Sequence, residues 1–137
     1  MTDDTSRWEG INPEELGPPK GWTNGMLAPA GGRILLVAGQ DAATTAGIVE
    51  EEDFVRQFEL ALAKTLAVVR EAGGDATSIG RMTVYVTDMD AYLESRKALG
   101  QVWRARMGRH YPAMALVQVS RLVDPLGKVE IEATAVI

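Results

Sequence analysis

The sequence predicts an α+β domain in the order β-β-α-β-α-β-β, one sheet with two helices on one face. Three observations carry that prediction. Apolar residues recur at spacings of three and four over 53–72, the period of a helix with one buried face. Branched and aromatic residues gather in short runs at 33–38, 79–87, 113–120 and 128–136, as strands require. Glycine, proline and aspartate punctuate the gaps between runs. With 137 residues the chain holds one domain and no second full-sized core.

Pro13, Pro18 and Pro19 disfavour helix in residues 1–25, which read as an extended N-terminal segment ahead of a single domain, 26–137. Gly31-Gly32 turns the chain between a short strand near Met26 to Ala28 and a firmer one from Arg33 to Ala38. The run RILLVAG is continuously apolar, as expected of a strand buried on both faces. Gly39-Gln40-Asp41 ends it. In the first helix Phe54, Phe58, Leu62, Leu66 and Val69 share a face, Asp53 suits the N-cap and Gly73-Gly74 the stop. Ile79 to Thr87 is the next strand. Asp88 or Asp90 caps a second helix to about Met107, with Leu99, Trp103 and Met107 as its core line.

The last two strands, joined by the turn residues of VDPLG, read as neighbours, and the site is expected on this pair, Pro112 to Val136. Val129, Ile131, Ala133 and Ala135 point one way; Glu130, Glu132, Thr134 and Val136 point the other. On the strand before, Met114, Leu116 and Gln118 alternate with Ala115, Val117 and Val119, so both faces are largely apolar. A second apolar face needs a partner, and self-association is the expected one.

Composition narrows the chemistry. No cysteine is present, which excludes a thiolate nucleophile and a cysteine zinc site and suits a reducing compartment. The acidic start, MTDDTSRWEG, lacks a signal peptide's features, and no run approaches the roughly 18 apolar residues of a membrane span. A cytoplasmic protein without a membrane partner is expected. The net charge of -5 argues against nucleic acid, and the cluster Arg104, Arg106 and Arg109 reads as a solvated helix end. A single histidine, His110, excludes a histidine-rich metal site and a two-histidine ribonuclease.

Taken together, AGQDA (38–42), AGGDATSIGRMTVYVTDM (72–89), YPA (111–113) and VEIEATAV (129–136) resemble the RidA/YjgF family of reactive-intermediate deaminases, from about Trp22 to the C-terminus. The resemblance implies a chorismate mutase-like fold and a homotrimer whose sheets face inward. It implies a small-molecule ligand in clefts between neighbouring subunits. Active members hydrolyse enamines and imines to carbonyl compounds and ammonia, with no metal and no organic cofactor.

The family's site carries over in part. Its Pro-Ala-Arg segment, whose arginine grips a carboxylate, is Pro112-Ala113-Met114 here, and its nearby cysteine is Leu116. Arg33, Arg81 and Arg96 are cations that sequence cannot place. Glu130 matches the acidic residue that activates water; it is a general base or an interface carboxylate. Gly39 matches the glycine whose backbone approaches the ligand, or is a turn glycine. Trp22, nearest to the family's cleft tyrosine, is a lid or an anchor for the tail. Two functions follow: an imine or enamine deaminase with an altered substrate, or a non-catalytic binding or structural trimer.

Overall fold

The structure, a computed structural model, describes residues 8–137. The acidic start of the chain therefore lies outside the described residues up to position 7. A four-stranded sheet carries the helices on one face. Its strands are β3 (Ile34–Asp41), β4 (Ile79–Val86), β5 (Ala113–Gln118) and β6 (Val129–Val136), in the order β3-β6-β4-β5. A separate hairpin pairs β1 (Glu9–Ile11) with β2 (Gly25–Leu27). The strand expected near Met26 thus exists but joins an N-terminal partner, across the boundary expected at residue 25. Trp8 ties this hairpin down: its ring lies against Gly80 and its indole N–H donates to Ser78 O at 2.9 Å.

Helix α1 (Phe54–Glu71) forms as its periodicity requires. Asp53 accepts from Arg56 N at 2.9 Å, which satisfies a first-turn donor. Phe54, Phe58, Leu62, Leu66 and Val69 are all buried against the sheet. Gly73, at φ 96°, takes the chain out of the helix. From β4 the chain enters α2 (Met89–Glu94), capped by Asp88, and α3 (Arg96–Met107), which buries Leu99, Trp103 and Met107. The single helix expected here is broken at Ser95, a residue whose hydroxyl competes with helical hydrogen bonds and weakens helix interiors.

Two expectations about the sheet need correction. The last two strands are not neighbours: β4 lies between them, parallel to β5 and antiparallel to β6. The connection through α2 and α3 returns β5 beside β4 as a crossover, and the VDPLG turn then carries the chain past β4 to reach β6. Nor is β3 covered on both faces. Leu35 and Val37 face the helices, while Ile34 and Leu36 are 73% and 75% exposed on the opposite, open face. On β6 the alternation holds: Val129, Ile131, Ala133 and Ala135 enter the core, and Glu130, Glu132 and Thr134 lie on the open face. Among the described residues no helix is long and apolar enough to cross a membrane.

Candidate functional site

Glu130 and Gly39 meet at a fault in the β3–β6 pairing. Val37 pairs with Ala133, but Gln40 pairs with Ile131, so Ala38 and Gly39 together oppose Glu132. This bulge inserts one residue into β3 and sets Asp41 opposite Glu130. Gly39 lies directly under the Glu130 side chain. A Cβ at Gly39 would come within 2.7 Å of Glu130 Oε2 and 2.9 Å of its Cδ, so only glycine leaves the carboxylate where it is.

The surroundings of Glu130 disfavour its charge. Burial is the first cause, and the carboxylates of Asp41 and Glu132 add to it; together they raise its pKa above the usual 4.5. Across the next strand pair Tyr85 sits opposite Glu130 and donates its hydroxyl to Glu132 Oε1 at 2.8 Å. That bond to Glu132 is the main reason the phenol holds its proton more tightly than usual. Lys64 donates to the carbonyls of Asp41 and Ala43 at 2.8 and 3.0 Å and so anchors the strand below the bulge.

Met114 and Leu116 lie elsewhere. They pair with Met82 and Val84, so they point to the helix face at the β5 edge of the sheet. There they floor a cleft of about 400 Å3 walled by Trp103 and Tyr111, whose rings stack at 6.2 Å and 7°. Within one chain the two halves of the expected site are thus separated by β4 and by the thickness of the sheet. Trp22 is 46% exposed in the loop before β2, and its neighbours Lys20 and Gly21 reach the Met114 cleft.

Of the arginines that sequence could not place, Arg96 lines this same cleft, and Arg81 stands on the open face. Arg104, expected only as a solvated helix end, also lines it. The signal that could have found both was their spacing of eight, two helical repeats of four on one face. His110 is structural: its Nε2 lies 2.6 Å from Ile79 O, joining the end of α3 to β4. Among the described residues no group of His, Cys, Asp and Glu is arranged to hold a metal ion.

Comparison with known proteins agrees with this architecture. The family model described as endoribonuclease L-PSP matches residues 16–137. A RutC family protein from Haemophilus influenzae is 30% identical over 105 residues, 77% of this chain and 80% of its own. The Rid family protein YyfB from Yersinia pestis superposes with a TM-score of 0.83 at 29% identity, covering 96% of this chain and 99% of its own. Escherichia coli TdcF with bound serine gives a TM-score of 0.67 at 29% identity, over 98% of this chain and 96% of its own. The chain belongs to the endoribonuclease L-PSP family, the RidA/YjgF group, and has its chorismate mutase-like fold.

Proposed function

We propose that this protein hydrolyses a reactive imine or enamine to a carbonyl compound and ammonia, in a cleft between neighbouring subunits of a homotrimer. Its relative TdcF is described as a candidate reactive intermediate deaminase, and family membership supports the same reaction class here. The observation that carries the reading is Glu130, a carboxylate fixed over Gly39 with its pKa raised by burial. Such a group holds a proton more tightly than a free carboxylate does, which makes it a stronger base. The apolar open face of β3 supports assembly, because Ile34 and Leu36 gain from a partner that covers them.

In the assembled cleft Glu130 of one subunit serves the Met114 floor of the next. Glu130 takes a proton from water as the water oxygen bonds to the carbon of the protonated imine, whose nitrogen accepts the C=N electron pair, giving a neutral carbinolamine. It then passes that proton to nitrogen, and as the C–N bond breaks it takes the hydroxyl proton back from oxygen, releasing ammonia and leaving the carbonyl. No residue needs a change of oxidation state, and the steps use only water and the substrate. Imines generated in solution by an amino-acid oxidase test this directly through ammonia release. The wild type should accelerate their hydrolysis, and Glu130→Gln should lower the rate by about a hundredfold or more. The apolar floor of Met114 and Leu116 favours the second reading, a binding trimer without chemistry. No acceleration over buffer by the wild type would leave that one standing.

A further inference from the structure

Arg96, Gly100 and Arg104 follow one another at spacings of four on α3, so they share a face of the helix. All three line the Met114 cleft, and Lys20 joins them from the N-terminal segment. The chain has 19 acidic residues against 14 basic ones. Yet the ion pairs among the described residues involve Arg56, Lys64 and Arg106, and none of these three cleft cations. The Arg96 Nε donates to Leu93 O at 3.2 Å, which fixes the inner edge of the guanidinium and leaves its terminal nitrogens for another acceptor. Three like charges around one opening repel each other unless an anion sits between them.

Gly100 points the same way. It lies inside a helix, where glycine is the least favourable residue after proline. Packing does not require it, because a Cβ built there meets no atom within 4 Å. The space above Gly100 is open cleft. Below that space lie Leu99, Met114 and Leu116, with Trp103 and Tyr111 at the side. A cationic rim over an apolar, aromatic-walled floor selects molecules with both an anionic end and a bulky apolar body.

We propose that this cleft binds a carboxylic acid with an apolar, preferably aromatic, body. Arg96 and Arg104 hold the carboxylate, a planar match for guanidinium groups, and Lys20 adds charge from across the opening. The body lies over Gly100 onto Met114 and Leu116. This rests on the deaminase reading for the role of the cleft and deepens it. The anion anchor moves from strand β5 to helix α3, and the substrate class narrows to 2-imino acids with large side chains.

Titration calorimetry on the full chain tests the anchor without turnover. The probes are phenylpyruvate, pyruvate, which lacks the body, and phenylacetone, which lacks the carboxylate. Phenylpyruvate should bind about tenfold or more tighter than either. The double variant Arg96→Gln/Arg104→Gln alters two exposed side chains, so it keeps the fold. It should weaken phenylpyruvate by about tenfold or more and leave phenylacetone unchanged. Gly100→Leu should raise Tm by improving the helix while it removes phenylpyruvate binding by filling the cleft. Equal binding of phenylpyruvate and phenylacetone, no binding of phenylpyruvate, or indifference to the double variant would overturn the proposal. Ammonia release separates it from the reading beneath it. Arginine-dependent binding with no ammonia from the corresponding imine keeps the anchor and removes the deaminase. Ammonia release indifferent to the double variant does the reverse.

Discussion

Glu130 owes its surroundings to a single inserted residue. Without the bulge at Ala38-Gly39, regular pairing onward from Val37 and Ala133 would set Asp41 opposite Val129; with it, Asp41 stands opposite Glu130. Two carboxylates facing each other across a strand pair repel, and this repulsion adds to burial in raising the Glu130 pKa. The sign has consequences for stability and for rate. A carboxyl that binds its proton more tightly folded than unfolded stabilises the fold at low pH, and loses that contribution as pH rises through its folded value. At neutral pH the ionised Glu130 therefore costs stability, while as a base it works only when ionised. Activity should rise along an acid limb whose midpoint lies above 4.5. Asp41→Asn keeps an acceptor for Ala43 N, now at 3.0 Å from Asp41 Oδ1, and removes the opposing charge. It should move that limb to lower pH, as a kcat/KM profile would read; an unmoved limb would show that burial and Glu132 set it without Asp41. The sequence could match Glu130 and Gly39 to a family pattern, but a bulge changes register without changing composition, so Asp41 was not legible as their neighbour.

Elements were legible in proportion to how much of their energy is local. In α1 the apolar period, the Asp53 cap and the Gly73 exit all fall within one stretch of chain, and each is found where the pattern puts it. Asp53→Ala removes the acceptor for Arg56 N and should destabilise the fold by about 1 kcal/mol. Urea denaturation should show a lower midpoint with an unchanged slope, since the cap lies at the surface and alters no buried area. Strand adjacency is another matter. The residues of β5 and β6 announce strands, but whether they pair depends on β4, whose two edges are claimed by a parallel and an antiparallel partner. A loop with Asp, Pro and Gly suits a hairpin and a crossover equally well, so the insertion of β4 had no signature in the loop. The pair of cations on α3 had a signature, their spacing of eight, yet its meaning came only when α3 was packed beside the β5 edge and Met114 lay beneath it.

At the scale of the whole molecule, the separation of the two half-sites is the feature that any function must accommodate. Glu130 lies on the open face of β6, and Met114 with the α3 cations lies on the helix face at the β5 edge, so no motion of side chains brings them together within one chain. Rotation about a symmetry axis can, because it presents the open face of one copy to the edge of the next. The exposed Ile34 and Leu36 supply an apolar reason for that contact, each contributing about 1.5–3 kcal/mol when fully covered. A sedimentation mass near three times the 14.8 kDa chain is the expected outcome. Leu36→Glu should bring it to the monomer value and end ammonia release, with the circular dichroism of the fold retained. Complementation is sharper still. Glu130→Gln lacks the base, and Arg96→Gln/Arg104→Gln lacks the anchor, so each alone should be weak. Mixed trimers, formed by unfolding and refolding the two together, contain some clefts with an intact Glu130 facing an intact pair of arginines. Ammonia release should then exceed the sum of the two separate variants. If each site were built from a single chain, mixing could restore nothing, and an additive result would place the chemistry on one face of one subunit.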